Sequence, residues 1–382
     1  MTSLLRLRPA ATPEMIAVFD DAATIAHACA FEVALAQAQA QAAHGLIPAA
    51  VAEAIAKGVS QVRIDPAVLA DAAALAGTLA IPLVEHLRGA LSGEAARALH
   101  RGATSQDVAD SVMMMQVRAA LPLVARDGRR VVAALADLAA THRATPAIGR
   151  TLLQDAIPVA FGLRLAQAAA GIAEAIDQLE EAVARHAVIQ FGGAAGTRAG
   201  SGGQGAAVAA HMAQALGLTA GAPWHARRTG VASIGAAIGI LIGALGKLAR
   251  DVSQLAQNGV GEAREPAIAG RGGSSAMAHK RNPTGCQVAL SAAIRAPGLV
   301  AALLAGMPQE QERGLGGWQA EGPVLAELFL LASGSAAAMA VVAEGLEIDR
   351  AAVARNLASA GMGDDLGESA AIIAELLGFE GN

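Results

Sequence analysis

The sequence predicts an all-α protein built around a bundle of long helices. Hydrophobic residues make up 54% of the 382 positions and charged residues only 16%, so the chain can bury a large core. Because it contains no Tyr, two Trp and six Phe, that core must consist of Ala, Leu, Val and Ile, which favours helices packed at close range. Long segments with helical periodicity point to the same fold class.

Gly and Pro residues divide the chain into three expected domains. Residues 1–103 form an N-terminal helical domain, with helices expected over 13–45, 48–58 and 71–91. Residues 104–344 form the central bundle of long helices. Residues 345–382 form a small C-terminal helical domain, in which two short helices are expected around Gly361, Gly363 and Gly367.

The central bundle should begin with its longest helix. That helical pattern runs from Thr104 to about His142, and we expect a bend near Pro122 and Gly128. Residues 147–158 are short enough for a hairpin. The remaining helices of the bundle are expected over 158–190, 227–260, 283–306 and 320–344.

Charge and cysteine content exclude several classes of function. The net charge is −5 and the isoelectric point is about 6.0, and no basic run marks a nucleic-acid surface, so no nucleic-acid partner is expected. Cys29 and Cys286 are far apart and lack metal-ligand spacing, which indicates neither a disulfide framework nor a metal centre. No apolar segment follows the first arginines, so we expect a cytoplasmic protein without a signal peptide.

Residues 229–246 form an uncharged apolar run of about the length of a membrane span. Three glycines within it are spaced like a helix-packing face: Gly235, Gly239 and Gly243. The helical pattern continues without a boundary through Lys247, Arg250 and Asp251. We therefore expect a buried helix with close packing at its glycines, and no membrane partner. A membrane-associated helical protein is the alternative.

Residues 273–283 place a nucleophilic hydroxyl, an ammonium group and a helix start within eleven positions. Asn282 followed by Pro283 is a helix-entry signal, with an N-cap side chain before a residue of preset φ. A helix N-terminus favours negative charge, and Lys280 adds a cation. We expect an anion-handling loop here. A capped surface loop with incidental Ser and Lys residues is the alternative.

The string from Gly273 to Pro283 resembles the signature of the aspartase/fumarase lyase superfamily, Gly-Ser-Ser-x-Met-Pro-x-Lys-x-Asn-Pro. Ala278 stands where the family usually has Pro. The resemblance implies that Ser274 transfers the proton and that Lys280 assists it. It also implies that Met277 and Asn282 contact the substrate.

Residues 100–107 read His-Arg-Gly-Ala-Thr-Ser-Gln-Asp, in which Thr104 and Asp107 have the spacing of a capping box. Helix capping alone would explain that pair. The segment also resembles the first active-site segment of the superfamily. The resemblance implies that Thr104, Ser105 and Gln106 bind carboxylates.

Residues 149–158 resemble the second active-site segment and narrow the choice within the superfamily. Purine-pathway and argininosuccinate lyases have His where Leu152 stands, whereas bacterial 3-carboxy-cis,cis-muconate cycloisomerases have an apolar residue, usually Trp, followed by Leu-Gln. The resemblance implies that Gln154 holds a substrate carboxylate. Arg150 is either a further cation for the substrate or a structural residue.

Residues 190–197, 223–225 and 311–321 also resemble cycloisomerase segments. The resemblance implies reversible lactonisation of a small tricarboxylate by general acid/base chemistry, with no cofactor and no metal. It also implies a homotetramer whose active sites are shared between subunits, with the long helices in the tetramer core. Another superfamily lyase, such as adenylosuccinate lyase, and a catalytically idle structural relative are the alternatives.

Two further patterns indicate neither a dinucleotide site nor a metal site, although either histidine named below could contact the substrate. Residues 200–205 fit Gly-x-Gly-x-x-Gly, but no β-rich run precedes them, so we expect a flexible loop without a dinucleotide. His225 and His279 have no partners at metal spacing.

Overall fold

The computed structural model describes residues 4–42, 45–274, 276–277 and 280–378. In the described part before residue 105, seven helices form the N-terminal region: α1 (Leu4–Leu7), α2 (Pro13–Val18), α3 (Asp21–Gln41), α4 (Ala49–Gln61), α5 (Pro66–Ala76), α6 (Ala80–Gly89) and α7 (Gly93–Ala98).

The helices of the central region are mostly longer, and one of them exceeds 30 residues: α8 (Ser105–Thr141), α9 (Phe161–His186), α10 (Gly205–Leu216), α11 (Thr229–Leu255), α12 (Thr284–Ala305) and α13 (Gly317–Glu344). A hairpin of β1 (Pro146–Thr151) and β2 (Gln154–Ala160) connects α8 to α9. Two short strands, β3 (Ala263–Arg264) and β4 (Glu347–Ile348), pair antiparallel. The C-terminal helices are α14 (Arg350–Ala360) and α15 (Ser369–Leu377).

The prediction of a mostly helical, long-helix fold is confirmed, as is the hairpin, but two predicted helices are each divided in two. Residues 13–45 contain α2 and α3 because the carboxylate of Asp20 accepts a hydrogen bond from Ala23 N at 2.7 Å and caps a new helix. Residues 71–91 contain the end of α5 and all of α6. Gly77, at φ +71°, ends α5 in the left-handed conformation.

The hairpin has an unusual two-residue tip. Leu152 and Leu153 both have positive φ values, +51° and +65°, which a tight hairpin turn requires and which Asn or Gly normally supply. Their side chains are 96% and 76% exposed. The tip therefore presents two leucines to the outside of the chain in a conformation that leucine rarely adopts.

Helices α11 and α12 pack antiparallel along the predicted glycine face. A side chain at Gly239 would lie 2.7 Å from Val300, and one at Gly246 would lie 2.6 Å from Ala293. Gly235 faces Leu303 in the same way, whereas a side chain at Gly243 would meet nothing within 4 Å. The expected close packing is thus present at Gly235 and Gly239 and absent at Gly243.

Four described helices are long and apolar enough to cross a membrane by length and composition alone: α8, α11, α12 and α13. In three of them, 61–67% of the apolar window is buried inside the chain. In α12 only 22% of it is buried, and Ile294 is largely exposed. The bundle thus leaves an apolar face along α12 that the chain itself does not cover.

Buried ion networks hold each end of the bundle. At the end that contains Thr104, Arg228 precedes α11 and pairs with Asp110 of α8 at 2.8 Å and with Glu321 of α13. Its guanidinium also lies 4.5 Å from the centre of the Trp224 ring. This fully buried arginine therefore fixes the starts of three long helices against one another.

We expect Gly162→Ala to destabilise the fold because α9 passes α8 at this position. The added methyl group would overlap the carbonyl oxygen of Ala139 and lie 3.0 Å from the carbonyl carbon of His142. Overpacking against a backbone that cannot move costs about 1–3 kcal/mol of unfolding free energy.

Urea denaturation tests this expectation, with Gly171→Ala on the same helix as the control. A side chain at Gly171 would meet nothing within 4 Å, so its replacement should stabilise by up to about 1 kcal/mol through helix propensity. Equal effects of the two substitutions would contradict the packing that the structure shows.

Candidate active site

Asp107 organises the first candidate segment. Its buried carboxylate accepts hydrogen bonds from the backbone N–H groups of Thr104, Gly192 and Gly193 at 2.9–3.0 Å, and His225 Nε2 lies 2.7 Å away. Asp107 therefore caps the start of α8, as its spacing from Thr104 predicts. The carboxylate also holds a loop 85 residues further along the chain, which local spacing does not reveal.

The three predicted binders of this segment differ in access. Thr104 and Ser105 are partly exposed. Gln106 is fully buried, and its Nε2 donates to the carbonyl oxygen of His225 at 2.9 Å. In the folded chain, the amide of Gln106 therefore points inward. Direct binding of a substrate carboxylate by Gln106 stays a prediction.

Sequence reasoning gave no role to the first residue of this segment, His100. His100, at φ +64°, places its Nδ1 2.7 Å from the carboxylate of Glu32. That carboxylate lies within α3, its side chain is 0% exposed, and its second oxygen has no hydrogen-bond partner among the described residues. No local signal joins the two residues, because they are 68 positions apart.

The second candidate segment lies on the hairpin. Arg150 places one guanidinium nitrogen 2.6 Å from Glu262 and another 3.2 Å from Asp155. Both neighbours are carboxylates of the same chain. Arg150 therefore has the structural role considered for it, since it forms ion pairs within the chain. Gln154, next to the tip, is exposed.

Glu262 ties the hairpin to the rest of this end. It also lies 3.3 Å from Arg164 of α9 and accepts a hydrogen bond from Asn356 of α14 at 2.8 Å. Burial opposes ionisation of Glu262, but the hydrogen bonds from Arg150 and Asn356 outweigh it and hold the pKa of the carboxyl below its usual value of 4.5.

The third candidate segment is the loop that precedes α12. The hydroxyl oxygen of Ser274 accepts hydrogen bonds from the backbone N–H groups of Ala276 and Met277, at 3.4 and 3.1 Å. Met277 and Lys280 are exposed. Among the described residues, no carboxylate forms a salt bridge with Lys280. The loop therefore combines a hydroxyl that faces two N–H donors with a lysine that has no carboxylate partner among the described residues.

Three residues of this loop, Ser275, Ala278 and His279, lie outside the described residues. The expectations for Ala278 and His279 are therefore not addressed by the structure.

The predicted helix entry at Asn282 is wrong. Helix α12 begins at Thr284, and the side chain of Asn282 donates to the carbonyl oxygen of Gly273 at 3.3 Å instead of capping the helix. Glu265 supplies the cap, because its carboxylate accepts from Gly285 N at 3.0 Å and Cys286 N at 2.7 Å. These two N–H groups, expected to favour a ligand anion, are occupied by the chain's own carboxylate.

Two cavities in the described part of the chain border the second and third segments at this end. One, of about 610 Å³, lies between the hairpin and α11 and includes Arg150 and Lys247 in its lining. The other, of about 710 Å³, includes Gly273 and Asn282 of the loop. Among the described residues, no group of three or more His, Cys, Asp or Glu side chains is placed to hold a metal ion.

The structure brings the second and third segments to one end of the bundle and leaves the first at the other. Helix α8 has 37 residues and is therefore about 55 Å long. Thr104 precedes its first residue, whereas the hairpin starts at Pro146, shortly after its last. The hairpin residue Arg150 and the loop that leads to Ser274 are joined to that far end through Glu262. A single chain thus does not place Thr104 beside Ser274.

Fold and motifs together define a helical lyase, and comparison with known proteins identifies its family. The family described as "Lyase" matches residues 9–298, and the chain belongs to this family, within the aspartase/fumarase superfamily.

Two relatives and one solved structure cover most of the chain. A 3-carboxy-cis,cis-muconate cycloisomerase of Bradyrhizobium diazoefficiens is 45% identical over 90% of this chain and 76% of its own length. A nitrosuccinate lyase of Streptomyces davaonensis is 40% identical over 97% of this chain and 80% of its own length. The crystal structure of the 3-carboxy-cis,cis-muconate lactonizing enzyme from Pseudomonas putida is 41% identical, with a TM-score of 0.87 over 93% of this chain and 80% of that chain.

We expect Glu262→Gln to lower the free energy of unfolding by roughly 3 kcal/mol at neutral pH, because it leaves Arg164 without its carboxylate partner. The folded carboxyl has a lowered pKa, so its stabilisation is complete above the usual value and is lost as the pH falls through the folded pKa. The stability difference between wild type and variant should therefore shrink below about pH 5.

Denaturation curves at pH 7 and at pH 4 measure this difference. Glu85→Gln, an exposed site on α6, is the control and should change stability little at either pH. A difference that is constant or grows as the pH falls would contradict the lowered pKa of Glu262.

Proposed function

We propose that this protein is a 3-carboxy-cis,cis-muconate cycloisomerase, which interconverts that tricarboxylate and 4-carboxymuconolactone. The observation that carries the proposal is the loop around Ser274, in which the hydroxyl accepts from two backbone N–H groups and an exposed lysine, Lys280, follows six positions later. The similarity to cycloisomerases over 90% of the chain supports this substrate.

The reaction needs one group that handles a proton and several that hold negative charge. During lactonisation, a carboxylate oxygen of the substrate adds to the β-carbon of an unsaturated acid, and the α-carbon takes up a proton. Charge accumulates meanwhile on the carboxylate next to the α-carbon, as an aci-carboxylate. In the reverse direction, a base removes the α-proton and the carboxylate leaves the β-carbon.

Ser274 is the group we assign to proton transfer. Its hydroxyl protonates the α-carbon during lactonisation, and its alkoxide removes the proton in the elimination. An alkoxide requires stabilisation at neutral pH, and the N–H groups of Ala276 and Met277 point at this oxygen. Lys280 supplies the positive charge that the aci-carboxylate and the alkoxide need.

The remaining candidates hold the other carboxylates. The side-chain amide of Asn282 has two N–H groups, of which one donates to the carbonyl oxygen of Gly273 and the other can donate to a substrate carboxylate. Met277 contributes apolar surface. Gln154 projects from the hairpin as a hydrogen-bond donor. Arg150 holds the hairpin in place through its ion pair with Glu262. Thr104 and Ser105 offer hydroxyl groups at the start of α8.

We infer that complete sites form between copies of the chain. The first segment lies about 55 Å along α8 from the hairpin, so Thr104 of one copy meets Ser274 of another. The apolar face of α12, little buried in the single chain, supplies the surface for such an assembly. A homotetramer in the cytoplasm, with no cofactor, nucleic acid or membrane, is the state we propose.

A second reaction follows from a different observation. The similarity to a nitrosuccinate lyase extends over 97% of the chain. Removal of an α-proton with expulsion of nitrite from nitrosuccinate leaves fumarate, and it needs the same base and the same charge stabilisation. Leu152 at the hairpin tip, in place of a bulkier side chain, is compatible with either substrate.

We expect Ser274→Ala to reduce turnover of 3-carboxy-cis,cis-muconate by at least about 100-fold, because a positioned proton-transfer group contributes roughly 10²–10⁴-fold. Loss of the ultraviolet absorbance of the conjugated diene measures the reaction. Ser60→Ala, on α4 in the N-terminal region, is the matched control and should retain wild-type turnover.

Nitrite release from nitrosuccinate, measured in parallel, separates the two reactions. Diene loss without nitrite release would support the cycloisomerase. Nitrite release alone would replace it by the second reaction. Equal diene loss with wild type and Ser274→Ala would remove Ser274 from its assigned role.

A further inference from the structure

One carboxylate outside the catalytic loop joins the two chain segments that flank it. Glu347 accepts hydrogen bonds from both terminal nitrogens of Arg281, each at 3.1 Å, and from the backbone N–H of Ala267 at 3.2 Å. Ala267 precedes the loop and Arg281 directly follows Lys280. The fork between Arg281 and Glu347 therefore sets the distance between the two limbs of the loop.

Glu347 itself is held by the fold. It lies on β4, where it pairs with Arg264 of β3. Gly345 lets the chain approach closely, since a side chain there would lie 2.7 Å from Pro266. The carboxylate thus projects from a fixed platform just before α14.

The two limbs of the loop also meet at Gly272 and Asn282, a contact that we call the neck of the loop. The carbonyl oxygen of Gly272 accepts from Asn282 N at 2.8 Å. Gly272 has φ +73°, and a side chain there would lie 2.6 Å from the carbonyl oxygen of Asn282. Lys280 lies two residues from this neck and one from Arg281. Anchoring of Arg281 therefore restrains the backbone on the C-terminal side of Lys280.

The ion pair between Arg281 and Glu347 affects the geometry of the loop more than the free energy of unfolding. The side chains of Arg281 and Glu347 are 44% and 48% exposed, and such exposed pairs add little to global stability. However, Arg281 also donates to the carbonyl oxygen of Glu265, so its planar guanidinium is fixed at two acceptors. That arrangement restricts direction more than it stabilises the fold.

We infer that Glu347 is a positioning residue for Lys280, acting through Arg281 to hold the ammonium beside the Ser274 hydroxyl. The inference rests on the proposed function for its effect on turnover. Its structural content, that Glu347 restrains the loop, is independent of the substrate.

The test compares Glu347→Gln with Glu344→Gln in the full-length protein. Glu344 forms an equally forked pair with Arg130, at 2.8 Å for both bonds and with similar exposure, but this pair joins α13 to α8 and does not involve Arg281. We expect Glu347→Gln to lower kcat by about 10-fold or more through misplacement of Lys280, with little change in KM or in melting temperature. Glu344→Gln should leave kcat unchanged.

Two further measurements isolate the mechanism. If Glu347 acts through Arg281, the double variant Arg281→Lys/Glu347→Gln should be no slower than the more impaired single variant. Limited trypsin digestion, followed by mass spectrometry, measures cleavage after Lys280 and Arg281 in wild type and in Glu347→Gln, whose trypsin sites are identical. We expect faster cleavage in Glu347→Gln and no change in Glu344→Gln.

The outcomes separate this inference from the proposed reaction. A normal kcat in Glu347→Gln, equal losses in both Gln variants, or additive effects in the double variant would overturn the positioning role. If the wild type does not turn over the tricarboxylate, the proposed function fails, and the digestion decides alone. Faster cleavage only in Glu347→Gln then supports the restraint, and unchanged cleavage overturns it.

Discussion

The length of α8 is the constraint on which the site depends. A continuous helix of 37 residues keeps its start and its end about 55 Å apart, and the long helices α9 and α13 pack along it. The Thr104 segment is fixed at one end, whereas the hairpin and the Ser274 loop are fixed at the other. Chemistry that needs all three segments therefore requires more than one copy of the chain, and the weakly buried face of α12 is where further copies can pack.

Carboxylates of the chain itself, each buried and multiply bonded, hold both ends of this frame. Asp107 gathers three backbone N–H groups at one end, and Glu262 gathers two arginines and an asparagine at the other. Glu265 occupies the start of α12. These carboxylates already bind the arginines and N–H groups around them. Among the described residues, Lys280 is the cation that the three segments expose without a partner within the chain.

Periodicity and local motifs predicted the long helices, the hairpin and the start of α8, because those features depend on residues close in sequence. They did not predict the division of the N-terminal helices at Asp20 and Gly77, where a single cap or a single left-handed residue outweighs a continuous apolar pattern. They also misplaced the entry to α12, since its cap, Glu265, lies 20 residues before the N–H that it accepts. The pairs Glu32 with His100 and Arg281 with Glu347 join distant positions and have no local signature. Whether the candidate residues act as the family resemblance implies stays a prediction, as do the three domain boundaries.

Subunit complementation tests the shared site most directly. Thr104→Val and Ser274→Ala proteins, each prepared separately, would be mixed, dissociated and reassembled, with native mass spectrometry to establish that mixed oligomers form. If Thr104 and Ser274 from different copies complete one site, the mixture should recover turnover that neither variant has alone, because some sites then contain two intact segments. Mixed oligomers that form and remain inactive would contradict a site built between copies.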